Sequence, residues 1–247
     1  MVFNIMLGIK MAVDATFDSP MYTPTDKDYQ IRHELQVAPY KTADSDLVKA
    51  CSFYDYAPKI FASIRKFSGV TKEQYLESLG PEKILGYIFK SNFQTLSELC
   101  SSGKSGSFFY YSYDGRFMLK TIPRHEFKKM KQMLKNYHEY LTCRNTDSMI
   151  SRVFGLHKII FFRKRRKMNK KMYFCVMNNI FQTTKKIDLR YDLKGSTWGR
   201  QTIRDKEGFK IDRTVALKDR DFLNKKEEFK VGHEHKARIM AILRQDA

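Results

Sequence analysis

Residues 191–196 read Tyr191-Asp192-Leu193-Lys194-Gly195-Ser196, and Thr197, Trp198, Gly199 and Arg200 follow. A carboxylate, an ammonium, a glycine, two hydroxyls and a guanidinium therefore stand close together in the chain. Strand-like residues running into a Gly-Ser turn leave backbone amides free to point at anionic oxygens, and Lys194 and Arg200 supply positive charge. The chemistry that suits this set is the handling of a polyphosphate. A plain solvated strand-to-loop junction is the alternative, because Lys-Gly-Ser also marks ordinary turns.

A second set lies upstream, in Ser101-Ser102-Gly103-Lys104-Ser105-Gly106-Ser107. It is not a P-loop: that motif needs a glycine five positions before Gly103, where Glu98 stands. What remains is a glycine-rich connection leading into a β-hairpin whose second strand carries Lys120. Protein kinases use such a geometry, with a flexible turn over the nucleotide phosphates and a strand lysine beneath it. Strand alternation puts Lys120 on one face with Met118 and Ile122, so its stem would follow apolar surface while its ammonium seeks an anion. Glu126, just downstream, is the ion-pair partner expected for such a lysine; a solvated strand end is the competing account.

These residues need elements to position them. Phe3, Met6, Leu7 and Met11 form a short helical stripe that ends at the Pro/Thr/Asp-rich stretch from Ser19 to Asp28. Residues 53–67 carry Pro58, suited to a first helical turn, and then Ile60, Phe61, Ile64 and Phe67 on one predicted helical face. A further helix is predicted from Thr71 to Leu79. Phe108–Ser112 and Phe117–Ile122 flank Tyr113-Asp114-Gly115-Arg116, a strong hairpin signal. Phe127, Met130, Leu134, Tyr137 and Leu141 predict an amphipathic helix over 124–141. Strands are predicted at Ser151–Phe162 and Met172–Met177, separated by residues 163–171, which hold seven basic side chains. The fold class is α+β, with an antiparallel sheet and flanking helices that includes the strand entering Lys194.

The chain has 247 residues, 42% hydrophobic, and a formal net charge of +19, enough apolar content for a real core and enough positive charge to favour an acidic partner. The four cysteines are scattered without C-x-x-C pairs, which argues against a disulfide framework or zinc site and for a reducing, cytoplasmic setting. No apolar run reaches the roughly 18 residues of a membrane span. The apolar opening, Met1–Val13, lacks the basic leader and cleavage site of a signal peptide. No zinc finger, RNP-like aromatic motif or helix-turn-helix accompanies the basic charge, so nucleic acid is not the expected partner.

The order of the glycine loop, the strand lysine, the apolar strand ending in Met177-Asn178-Asn179-Ile180-Phe181, and Asp192-Leu193-Lys194-Gly195-Ser196 resembles the phosphatidylinositol phosphate kinases, of the phosphatidylinositol-4-phosphate 5-kinase type. Asp55-Tyr56-Ala57-Pro58 and Leu217-Lys218-Asp219-Arg220-Asp221-Phe222 match at suitable spacing, and the likeness covers the chain from Phe3 onward. It implies a phosphoinositide-kinase (SAICAR synthase-like) fold, with an N-terminal lobe over about 1–180 and the start of a C-terminal lobe over 181–247. It also implies that Gly103, Lys104, Ser105, Gly106 and Ser107 cover the phosphates of ATP and that Lys120 contacts them. Met177, Asn178, Asn179 and Ile180 would form the hinge whose backbone meets the adenine. Lys194 would serve phosphoryl transfer, with Asp192 orienting it or supporting the phosphate site.

The implied substrate is a phosphoinositide at an anionic membrane surface, the plasma membrane being the expected location for a peripheral cytoplasmic protein. The basic excess and the 163–171 cluster would serve lipid binding, unless that cluster is simply a solvated loop. The family also pairs through its N-terminal region, a homodimer role that Phe3–Val13 could fill. Two family segments are missing from these residues: Asp-Tyr-Ser-Leu-Leu, with a catalytic aspartate, and Ile-Ile-Asp, with the aspartate that holds Mg²⁺. The chain is therefore expected to be a kinase domain incomplete at its C-terminus, with Mg²⁺ ligands beyond residue 247 and inactive alone. A non-catalytic kinase-like module that binds anionic membrane or a protein partner is the alternative.

Overall fold

The computed structural model describes residues 1–16, 23–40, 48–82, 100–102, 107–162, 169–202, 215–226, 228 and 230–247. The chain divides into two compact units, Met1–Gln182 with Ile242–Ala247, and Thr183–Ala241.

In the first unit, helix α1 spans Val2–Asp14 and buries Ile5, Met6, Ile9, Ala12 and Val13. Phe3, Leu7 and Met11 are only partly buried against the core, so the predicted stripe is rotated. The segment is apolar nearly all round, and periodicity alone does not choose its inward face. Gly8 makes the choice: a Cβ there would stand 2.1 Å from the ring of Phe53, which is wholly buried.

Phe53 belongs to strand β2, Cys51–Tyr56, every residue of which is buried. Sequence reading placed Pro58 in a first helical turn but assigned no strand to the residues before it. Helix α2 covers only Pro58–Phe67, with Pro58 in its first turn and Ala57 before it in the left-handed region at φ 47°. Ile60, Phe61 and Ile64 are buried as predicted, whereas Phe67 lies off that face and is exposed. The aromatic-rich run 53–56 suits a strand, and Pro58 disfavours helical backbone at the residue before it. Strand β1, Arg32–Val37, pairs with β2 and had no clear sequence signal. Helix α3 spans Lys72–Leu79, capped reciprocally by Thr71 and Gln74.

Strands β3 (Cys100–Ser102), β4 (Phe108–Tyr111) and β5 (Phe117–Ile122) precede helix α4 (Arg124–Glu139), which runs into a π-helical turn at Tyr140–Arg144. Strands β6 (Val153–Phe161) and β7 (Lys170–Asn178) complete a seven-stranded sheet in the order β1-β2-β6-β7-β5-β4-β3, antiparallel throughout. The predicted hairpin is present. Its turn uses Gly115 at φ 69°, and the Asp114 carboxylate accepts from Ser112 Oγ (2.6 Å) and from Ser78 Oγ of α3 (2.5 Å). Helix α4 buries Phe127 and Leu134 as its periodicity requires, with Phe127 packed on Tyr56 and Tyr173. Among the described residues no helix is long and apolar enough to cross a membrane.

In the second unit, β8 (Arg190–Asp192) and β9 (Ala216–Lys218) pair in parallel, followed by α5 (Asp219–Asn224). The strand entering Lys194 is thus not part of the antiparallel sheet, contrary to expectation, because its partner comes from later in the chain. Helix α6, His233–Asp246, ends among residues belonging to the first unit.

Candidate phosphate-handling site

The residues singled out from the sequence fall in both units. In the first, β5 pairs with β7 so that Lys120 opposes Cys175 and Met118 opposes Met177. Directly opposed side chains share a face, and alternation adds every second residue, so Lys120, Cys175 and Met177 line one face of the sheet. The Cys175 thiol is pushed up to about 11 by burial, with the Lys120 ammonium pulling the other way and Glu126 adding to the rise. Lys120 and Glu126 thus both act on Cys175, yet they form no ion pair with each other. Lys120 stands two residues back from the end of β5, about 7 Å along the strand, whereas Glu126 sits in the first turn of α4 beyond it.

The segment Met177–Ile180 leaves the sheet at the end of β7. The Asn178 amide donates to Arg152 O (3.0 Å), and its side-chain Oδ1 accepts from Arg152 N (2.8 Å). The Asn179 amide donates to Arg116 O (3.0 Å), and Asn179 Nδ2 donates to Gly115 O (2.8 Å). These bonds pin the strand exit between the entries of its two neighbours and engage the amides of both asparagines, while Ile180 projects 67% exposed. Ser107 sits just before β4, where Phe108 N donates to Thr121 Oγ1 (2.7 Å). Gly103, Lys104, Ser105 and Gly106 lie outside the described residues, as do residues 163–168 of the basic cluster.

In the second unit, the turn after β8 is organised by a carboxylate that sequence reading did not single out. Asp219 Oδ1 accepts from the amides of both Lys194 and Gly195, each at 2.9 Å, and Asp219 Oδ2 accepts from Arg200 Nε at 2.8 Å. Gly195, at φ 65°, provides the left-handed backbone that turns both amides to one oxygen. Arg200 also pairs with the Asp192 carboxylate (3.2 Å) and donates to the Asp192 carbonyl. Asp219 is 8% exposed, and its carboxyl is held well below the usual carboxylate range, first by Arg200 and then by the two amides against the opposing effect of burial.

Two readings change. The amides of the Lys-Gly turn do point at an anionic oxygen, but it is the protein's own, and Arg200 is likewise engaged internally. Lys194 remains outward: its Nζ lies 3.3 Å from Asp192 Oδ2, with its side chain 62% exposed. Desolvation tends to raise the Asp192 carboxyl, but the bonds from Arg200 and Lys194 outweigh it and hold the group below its ordinary value. Asp192 and Lys194 are therefore brought together as the sequence implied.

Asp221 does for the neighbouring backbone what Asp219 does for the turn, accepting from Thr202 N and Lys218 N, both at 2.9 Å. The available signal was the pair of aspartates opening α5, where acceptors face unsatisfied amides. The described residues contain no cluster of three or more His, Cys, Asp or Glu side chains able to hold a cation.

Compared with known proteins, the chain matches a family of lipid kinases. It belongs to the phosphatidylinositol-4-phosphate 5-kinase family, whose model matches residues 90–247. A phosphatidylinositol 4-phosphate 5-kinase of Plasmodium falciparum is 35% identical over all of this chain and 14% of its own length. A probable phosphatidylinositol phosphate kinase of Dictyostelium discoideum is 30% identical over all of this chain and 35% of its own. Phosphatidylinositol 4-phosphate 5-kinase 8 of Arabidopsis thaliana is 34% identical over 90% of this chain and 26% of its own. The chain thus spans only a minor part of the curated relatives it matches.

Proposed function

We propose that this chain forms the nucleotide-binding part of a kinase that transfers the γ-phosphoryl group of ATP to the inositol ring of a phosphatidylinositol phosphate. The observation that carries this reading is the register that sets Lys120 on one sheet face with Met177, one strand from the segment that leaves the sheet at Asn178. A base resting against Met177–Ile180 would leave its phosphates toward Lys120, and Gly103–Ser107 is the segment assigned to cover them. The fold is read as phosphoinositide-kinase (SAICAR synthase-like), the first unit as the N-terminal lobe and the second as the opening of the C-terminal lobe.

Lys194 is the group assigned to the transferring phosphoryl. Its backbone is held by Asp219 and its ammonium is oriented by Asp192, so a cation is presented without the reorganisation that water would need. When bound, Mg²⁺ would neutralise charge on the phosphates; the described residues hold no group of three or more possible ligands for it. The 247 residues alone are proposed to bind ATP without turning over lipid. The phosphoinositide would be met at an anionic plasma-membrane face, with the basic excess drawing the protein there and α1 available for pairing two copies.

Calorimetric titration with a non-hydrolysable ATP analogue tests the reading. Binding that weakens about tenfold or more in Lys120→Met, with an unchanged unfolding midpoint, is the expected result. Binding indifferent to Lys120→Met would overturn it. Phosphorylation of phosphoinositide vesicles by the 247-residue chain would overturn the inactivity.

A further inference from the structure

Strand β7 runs between β5 and β6, and Arg116 and Arg152 are the residues that enter those two flanking strands. The Asn179 amide meets Arg116 O and the Asn178 amide meets Arg152 O, so the two arginines stand level at the same sheet end. Two strand spacings put their backbones roughly 10 Å apart, and both side chains line one cavity of about 440 Å³ within the first unit. Arginine side chains are long enough to converge on one group across that gap.

The guanidinium of Arg116 packs over the Phe117 ring at 5.8 Å and makes no hydrogen bond or ion pair among the described residues. The neighbouring carboxylate, Asp114, is occupied by Ser78, Ser112 and the Arg116 amide. Arg152 donates to Ile150 O (2.6 Å) and Thr146 O (3.3 Å), which positions its fork and leaves further donors on it. No Asp or Glu is among the described residues lining the cavity. The two guanidiniums face one space whose described lining holds no carboxylate, Asp114 acting on Arg116 from outside it, and such a pair suits an anion.

The rim adds a second requirement. Phe67, Met149 and Ile150 line the same cavity with 45%, 49% and 38% of their surfaces exposed. Apolar side chains beside paired arginines suit a ligand with an anionic head and an apolar body, and the volume is that of a small-molecule site. We propose that this cavity binds a phosphate monoester carried on an apolar group, gripped between Arg116 and Arg152. It lies on the sheet face opposite Lys120, shares Asn178 with the segment assigned to the adenine, and does not rest on the nucleotide reading.

The test is calorimetric titration of the 247-residue chain with phenyl phosphate, alongside flotation with phosphatidylcholine vesicles containing or lacking phosphatidic acid. Arg116→Gln is the main variant, because Arg116 makes no structural hydrogen bond through its side chain; Arg152→Lys, which keeps the charge but loses the fork, is the second. Saturable phenyl phosphate binding that weakens about tenfold or more in Arg116→Gln, and that adenosine does not displace, supports a soluble ligand. Binding confined to phosphatidic-acid vesicles and lost in Arg116→Gln supports a lipid headgroup as the source. Binding to neither probe, or binding unchanged in both variants, overturns the proposal. Failure of ATP-analogue binding would leave these outcomes untouched.

Discussion

Asp219 joins Arg200 at 2.8 Å through one carboxylate oxygen while its other oxygen holds the amides of Lys194 and Gly195. The turn that presents Lys194 is therefore built around an internal anion. A folded-state carboxyl held below its free value stabilises fully above the unfolded value near pH 3.9, and that stability is lost only as pH falls further. The amides of Lys194 and Gly195 report on it, and their protection factors are expected to stay constant from neutral pH to about pH 4 and to fall below it. In Asp219→Asn, faster hydrogen exchange at Lys194 and Gly195 should accompany the loss of that plateau.

His138 gives the opposite end of the pH scale. Its ring lies between Tyr29 Oη at 2.9 Å and Ser63 Oγ at 3.0 Å, and burial lowers its pKa against a smaller raising effect of Glu139. The unfolded chain then takes up the proton first, so stability is full above about pH 6.5 and falls as pH drops below it. Urea midpoints measured from pH 7.5 to pH 5 should decline, and His138→Gln should flatten that decline.

Gly8 is the close-contact point between α1 and the sheet. In Gly8→Ala the new methyl meets a wholly buried ring at 2.1 Å, and the overpacking should cost about 1–3 kcal/mol, toward the upper end because Phe53 has no room to swing away. Equilibrium urea unfolding measures it. A more stable variant would mean that α1 does not pack as described.

Cysteine reactivity separates burial from exposure. Cys175 is pushed up to about 11 and Cys51 is also raised, both chiefly by burial, whereas Cys143 is exposed. Of these three, only Cys143 should be alkylated by iodoacetamide at pH 8 in the folded protein, as read by peptide mass mapping.

The end of α6 is held through Gln245, bonded to Arg144 O and Tyr140 Oη, and above all through Asp246. Asp246 accepts from Tyr140 Oη (2.7 Å), Asn145 Nδ2 (2.9 Å) and Met149 N (2.8 Å). Asp246→Ala should therefore raise amide exchange at Met149 while leaving the sheet amides protected. Unchanged exchange at Met149 would contradict this tether.

The sequence by itself determined the elements whose signals are local. The Asp114-Gly115 hairpin, the Thr71-capped helix and the amphipathic helix beginning at Arg124 each carry their instructions within a few residues, through turn chemistry, capping and periodicity. The Asp192–Ser196 motif likewise marked the turn and paired Asp192 with Lys194. Tertiary structure decided the rest. Strand β2 is buried on every residue and shows no alternation to separate it from the helix that follows. The inward face of α1 depends on Phe53, more than forty residues away in the chain. The carboxylate that engages the Lys194 amides comes from Asp219, separated by 24 residues from Gly195, and only the parallel pairing of β8 with β9 brings it there. Local propensities cannot encode such distant partners, because what selects them is the burial of apolar surface and the satisfaction of backbone amides in the assembled fold.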